Sequence, residues 1–346
     1  METMGYESRP EGLHVQPAPP PRRPSRAWRV FKWLMVLGLM GICIVSVLAN
    51  MIFFGGLTGA QARRTQVIET HVRGPSGLTA AAKVAVLSVE DIIVGGDWSG
   101  SAGWIISQLD HAAQDDKVRV ILLDVNSPGG SITACDLIHN KIKRLRERDV
   151  QVVAFTRGIA ASGAYYVIAG ADRIISQPTT ITGSIGVIIS TFNVQGLFEK
   201  IGVEPIVFKS GERKDMLSPY RPVDEDERSV LQEITDEMFE RFRDVVMEGR
   251  DLSEEQMEEV SDGSVFTASQ ALRLGLIDQV GYFEDAVELA EHLSGPRTQV
   301  VRYSRPPSLA QVLFASTETP LSRLEKSLSV LGETLQPGFY YLWPGP

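Results

Sequence analysis

The stretches KVAVLSVEDIIV (83–94), KVRVILLDVNSPGG (117–130) and VQVVAFTR (150–157) are nearly continuous apolar, β-branched runs rather than alternating ones. A strand wetted on one face alternates polar with apolar; a strand covered on both faces does not. Between them lie segments of helical length, 101–114 and 131–148. The second carries Ile132, Cys135, Ile138, Ile142 and Leu145 as one apolar stripe. Strand, helix and strand at this spacing imply βαβ units and a mostly parallel sheet, an α/β fold. Further strands are expected at RIISQP (173–178) and EPIVFKS (204–210), helices at 162–170 and 193–201, and a helical region over 222–295.

One run does not belong to that pattern. WLMVLGLMGICIVSVLANMIFFGGL (33–57) carries no charge. At about 1.5 Å per residue it is long enough for a hydrocarbon core of roughly 30 Å. Arg22, Arg23, Arg26, Arg29 and Lys32 precede it, and only Arg63 and Arg64 follow closely. The expectation is one transmembrane helix in the plasma (inner) membrane, with the N-terminus cytoplasmic and the remainder extracytoplasmic (periplasmic). The run is longer than the apolar part of a cleaved signal peptide, which argues for a retained anchor. The leader 1–32, with PAPPPRRP (17–24), is expected to be disordered. Residues 58–82 read as a linker, 83–295 as the α/β domain, and the tail 296–346, ending FYYLWPGP, is left without assigned structure.

A net charge of −9 speaks against nucleic-acid binding. Much of the acid lies in 224–260, where apolar residues recur at helical spacing, so a solvated helix face accounts for it. The two cysteines, Cys43 and Cys135, fall in the apolar run and in the distant domain, which gives neither a disulfide framework nor a cysteine zinc site.

Reactive groups in open parallel sheets collect at the carboxyl ends of strands. In DVNSPGGS (124–131), Gly129 and Gly130 permit a tight turn with exposed backbone N–H groups, as an oxyanion hole requires. In TRGIAASGAYY (156–166), Ser162 opens a helix after a strand, where it is either the helix cap or a nucleophile. The G-x-S-x-G elbow is absent. Of the five histidines, His14 and His71 lie outside the domain, and none falls between Ser162 and His292. His139 sits mid-helix, where an outward-facing side chain is the simpler account. Tyr165 and Tyr166 fit either substrate pockets or core packing. A lysine can replace histidine as base if an apolar site brings its pKa from about 10.4 to near 8. Lys200, Lys209 and Lys214 are the candidates.

SPGG, AASGAYY, TGSIGV and KSGERKDMLSPYR occur in that order, and together they resemble the signal peptide peptidase A (protease IV) family of serine–lysine peptidases. The likeness covers roughly 83–290, including the closing segment DGSVFTASQALRLGLIDQVG. It implies a ClpP/crotonase-like superfold preceded by the one membrane helix. It makes Ser162 the nucleophile and Lys214, not Lys209, the general base. Gly129 becomes the first oxyanion donor, with Gly163 as partner and Gly130 in reserve. Ser184 becomes a serine that orients the lysine. Ala164 stands where many members have glycine. No metal and no cofactor is implied. The expected partners are peptide substrates, the membrane and further copies in a ring-like homo-oligomer. The implied activity is endopeptidase cleavage of spent signal peptides and other hydrophobic or misfolded segments. A crotonase-like acyl-CoA enzyme and an anchored peptide-binding scaffold without catalysis are the alternatives.

Overall fold

The computed structural model of the protein describes residues 33–47, 66–95, 100–306 and 339–342. Residues 33–47 form a helix, α1, with every side chain exposed. At about 1.5 Å per residue its described length is roughly 22 Å. Among the described residues no helix is long and apolar enough to cross a membrane. The rest of the expected span, 48–57, and the leader 1–32 lie outside the described residues.

The remainder is a separate unit. Its elements are β1 Ile68–Arg73, β2 Ala82–Glu90, α2 Gly100–Gln114, β3 Val118–Ser127, β4 Gly129–Ser131, α3 Ile132–Arg146, β5 Gln151–Ala161, α4 Gly163–Ala169, β6 Arg173–Ser176, β7 Ile181–Gly183 and β8 Ile188–Ile189. After these come α5 Gln195–Ile201, α6 Glu225–Arg250, α7 Glu254–Val260, β9 Val265–Thr267, α8 Ala268–Arg273, β10 Gln279–Val280, α9 Phe283–Ser294, β11 Thr298–Ser304 and β12 Phe339–Leu342. The main sheet runs β1-β11-β2-β3-β5-β6-β10, with β7 pairing the end of β5 and β9 pairing β7. From β11 to β10 every pairing is parallel; β1 joins β11 antiparallel.

The unbroken apolar runs are explained by burial on both faces. In β2, Ala85, Leu87 and Val89 enter one core with α2, α3, α4 and α6, while Val84 and Val86 enter a second core under α9. β3 divides the same way, Ile121 and Leu123 on one side, Val120 and Leu122 on the other.

The sheet reaches past both ends of the stretch 83–295. β1 comes from the stretch read as linker and β11 from the tail; the tail also supplies β12, the middle strand of a second, three-stranded sheet β4-β12-β8. The strand expected at 204–210 does not form: residues 203–209 carry neither helix nor strand, and every side chain there is exposed. Its composition suits a strand, but an extended segment without a paired neighbour has no ladder to hold it. His139 is buried rather than outward-facing, 8% exposed and edge-on to Tyr166 at 5.3 Å. Burial holds its pKa below the ordinary histidine value.

Candidate active site

The site lies where β3, β5 and β7 end. Ser127 is level with Ala160 on β5, and Ala161 is level with Gly183 on β7. One residue on, the N–H of Ser162 donates to the carbonyl of Gly183 at 2.8 Å, so Ser162 and Ser184 follow neighbouring strand ends.

Ser162 adopts φ 54° and ψ −119°. That is the conformation of the first central residue of a type II′ turn, where glycine is usual. Ser162 occupies the N-cap position of α4, but its side chain makes no capping hydrogen bond. The cap reading therefore fails, and the backbone instead makes a strained strand-to-helix elbow without the G-x-S-x-G motif. Ser162 is 1% exposed within the single chain. Ser184 also has positive φ, 52°, and its N–H donates to the carbonyl of Ser264 at 2.7 Å.

The SPGG turn lies against this elbow. Gly129 has φ 99°, and a Cβ added there would lie 2.5 Å from the Gly163 nitrogen. The Gly129 N–H donates to Ser127 Oγ at 3.2 Å, so its hydrogen is directed into the turn. Ile93 donates to the Gly129 carbonyl and accepts from the Ser131 N–H, each at 2.8 Å. Successive residues in a ladder point their polar groups to opposite sides, so the N–H of Gly130 faces away from Ile93. That direction leads to β12, where Gly130 is level with Tyr341. A Cβ on Gly163 would lie 3.0 Å from the Gly130 nitrogen, so both amides border one small space. Of the residues expected as donors, Gly129, Gly130 and Gly163 lie side by side here; the Gly129 N–H turns to Ser127 Oγ, and Gly130 is level with Tyr341 on β12.

Tyr165 is core: it is fully buried and its hydroxyl donates to the Leu276 carbonyl at 2.7 Å. Tyr166 stacks on Tyr341 with ring centroids 5.0 Å apart, and its hydroxyl donates to Asp136 Oδ1 at 2.6 Å. Burial alone would raise the Asp136 pKa; hydrogen bonds from Tyr166 and Arg241 outweigh it and hold the carboxyl below its usual value.

Lys214 lies on a single exposed 3₁₀ turn, Glu212–Asp215. Its amine makes no hydrogen bond or ion pair among the described residues, to Ser162, Ser184 or any other group. Lys209, by contrast, donates to the Glu212 carbonyl at 2.7 Å and pairs with Asp215 at 2.8 Å. Arg221 clasps the turn from the other side, bonding Asp215 Oδ1 at 2.8 Å and Glu227 Oε2 at 2.9 Å. Arg221 and Lys209 hold the Asp215 carboxyl far below the usual range, and Arg221 lowers Glu227 likewise. A single chain thus gathers Ser162, Gly129, Gly130, Gly163 and Ser184, and leaves Lys214 outside that group. Among the described residues no three His, Cys, Asp or Glu side chains gather as a metal site requires.

The family model described as peptidase family S49 matches residues 144–296, and that described as Clp protease matches 81–181. A putative signal peptide peptidase SppA of Enterococcus faecium is 41% identical over 183 residues, 53% of this chain and 53% of the relative. A putative protease of Synechocystis is 39% identical over 213 residues, 62% of this chain and 75% of the relative. Protease 4 of Haemophilus influenzae is 31% identical over 286 residues, 75% of this chain and 46% of the relative. The chain thus spans about half the length of the first and third of these relatives. The parallel sheet, the serine elbow and these matches lead to one conclusion: the chain belongs to peptidase family S49, the signal peptide peptidase A family of serine peptidases.

Proposed function

We propose that the chain is a membrane-anchored serine endopeptidase that degrades spent signal peptides and other hydrophobic or misfolded segments through a Ser162–Lys214 dyad. The observation that carries this reading is the backbone of Ser162. A non-glycine residue in a type II′ conformation, placed against a glycine turn with its hydroxyl free of capping, is what a nucleophile needs and a core serine does not. Neutral Lys214 takes the Ser162 proton as the oxygen attacks a peptide carbonyl, and the N–H groups of Gly163 and the Gly129–Gly130 turn hold the oxyanion. Lys214 then protonates the leaving amine, and water cleaves the acyl-enzyme with the same base. Ser184, beside Ser162, orients the amine.

The lysine reaches the serine on assembly. In one subunit Lys214 is exposed, and the preceding segment leaves Phe192, Ile206 and Phe208 at 67, 76 and 94% exposure. An apolar face of this kind calls for a covering partner, and a ring of further copies would supply both the cover and a drier surrounding for the amine. The uncharged run 33–57 anchors the assembly, with the basic leader on the cytoplasmic side and the peptidase domain outside.

The test is cleavage of a synthetic signal peptide by the detergent-solubilised full chain, beside Ser162→Ala and Lys214→Ala. Both variants should lose cleavage while remaining folded and assembled. Activity surviving in either purified variant rejects the dyad.

A further inference from the structure

Strand β5 does not reach Ser162 along one continuous ladder. Val153–Thr156 pair with Arg173–Ser176 of β6, whereas Ile159–Ala161 pair with Ile181–Gly183 of β7. On the other edge Thr156 is level with Val125 of β3 and Ala160 with Ser127, so three residues of β5 oppose one of β3. Gly158, inside this bulge, has φ 69°. A bulge interrupts the ladder and re-aims the strand beyond it. The pairing below the bulge therefore does not set the height of Ser162; contacts made above it do.

Buried hydroxyls supply those contacts. Thr156, Ser176, Thr180 and Thr182 are each 0% exposed. At the foot of the bulge, Thr156 Oγ1 and Ser176 Oγ share a hydrogen bond at 2.6 Å, and the Thr180 hydroxyl donates to the Thr156 carbonyl at 2.8 Å. Above it, the Thr182 hydroxyl donates to the Ala160 carbonyl at 2.6 Å. Ala160 stands two residues before Ser162, and Thr182 two residues before Ser184. One rung higher, the Ser162 N–H donates to the Gly183 carbonyl at 2.8 Å. The Thr182 bond thus ties together the two strand ends that carry the two serines.

Resting on the peptidase reading, we infer that Thr182 is a positioning residue, whose hydroxyl fixes the end of β5 against β7 and so fixes Ser162 relative to Ser184 and the glycine turn. It acts through the Ala160 carbonyl and is sealed from solvent. No water competes for a bond buried in this way, and the low dielectric strengthens it. A β-branched residue suits the strand, and of valine, isoleucine and threonine only threonine also carries a donor. The conformation of Ser162, φ 54° and ψ −119°, persists only where the surroundings over-determine it. Removing one restraint lets the elbow relax, and a misplacement of about 1 Å costs about 10²-fold in rate.

Thr180 provides an internal comparison. Its hydroxyl bond is of the same kind and equally buried, but it lies on the far side of the bulge from Ser162. The Thr156 carbonyl that it meets also accepts from the Gln177 N–H at 2.9 Å.

The experiment measures kcat and KM of the detergent-solubilised full chain on a synthetic signal peptide for the parent, Thr182→Val, Thr182→Ser and Thr180→Val, each checked for folding by circular dichroism. Valine keeps the branch and loses the hydroxyl; serine keeps the hydroxyl and loses the methyl. Thr182→Val should lower kcat about tenfold, the scale of a shift of a few tenths of an ångström, with KM changed less than about twofold. Thr182→Ser should keep kcat within about threefold of the parent, and so should Thr180→Val, although both valine variants lose one buried bond. Should Thr182→Val not fold, Thr182→Ala beside Thr182→Ser gives the same contrast. A parental kcat in Thr182→Val, a change confined to KM, a serine variant as slow as the valine one, or an equal loss in Thr180→Val overturns this inference and leaves the peptidase reading intact. No hydrolysis by the parent chain overturns both.

Discussion

The backbone of Ser162 supplies a stability measurement that separates elbow from cap. Ser162→Ala and Ser162→Gly both remove the hydroxyl, so both should be inactive, and they differ only in whether a Cβ must be carried at φ 54°, ψ −119°. Holding a non-glycine residue in such a region costs about 1–3 kcal/mol. Glycine's greater freedom in the unfolded chain takes back about 0.5–1 kcal/mol. The Gly variant should therefore be more stable than the Ala variant by about 1 kcal/mol, or roughly 2–4 °C in Tm for a domain of about 150–250 residues. Thermal unfolding of the two full-length variants side by side, followed by circular dichroism, reads the difference directly. The comparison cancels the hydroxyl, which any serine-to-alanine change alone would confound. A Gly variant no more stable than the Ala variant would mean the elbow carries no strain, and the reading of Ser162 as a residue held against its own preference would fall.

Three further outcomes follow from the same site. Lys214→Ala should lower kcat by about 10²–10⁴-fold, the usual worth of a general base. Lys209→Ala, which removes an exposed pair with Asp215, should change kcat/KM less than about fivefold; equal losses in the two would reject the assignment of roles. Gly163→Ala would place a Cβ 2.6 Å from Cys135 Sγ and 2.9 Å from the carbonyl oxygen of Tyr341, beside the proposed oxyanion site. It should cost about 1–3 kcal/mol of stability by overpacking and lower kcat/KM at least about 10²-fold, and wild-type kinetics would show that this amide does not border the reacting carbonyl. Finally, Arg221 lowers the pKa of both Asp215 and Glu227. Groups lowered in the folded state stabilise it above their ordinary values near 4 and lose that effect as pH falls through the lowered ones. Amide protection over 212–227, corrected for intrinsic exchange, should hold from about pH 7 to 5 and decline toward about pH 3; protection in Arg221→Gln as strong and as pH-dependent as in the parent would refute the clasp.

What could be read from the residues and what could not divide along a physical line. Strands β2, β3 and β5 were legible because burial on both faces writes itself locally, as unbroken apolar runs. The SPGG turn was legible because its backbone demands glycine, and Ser162 was legible as a reactive candidate through its place in linked motifs. The conformation of Ser162 was not, since a serine at positive φ leaves no compositional mark when tertiary contacts enforce it. Two of the differences in strand assignment are complementary. EPIVFKS has the residues of a strand but pairs with no strand among the described residues, whereas FYYL, at the end of a proline-marked tail, acquires two neighbours far away in sequence. Strand formation is decided by a partner edge, which no local window contains. His139 follows the same rule, its burial set by Tyr166 on another helix rather than by its own neighbours. The tail's aromatic residues were the available signal: large rings after a polar stretch ask for burial somewhere, and Tyr341, on β12 between β4 and β8, is wholly buried.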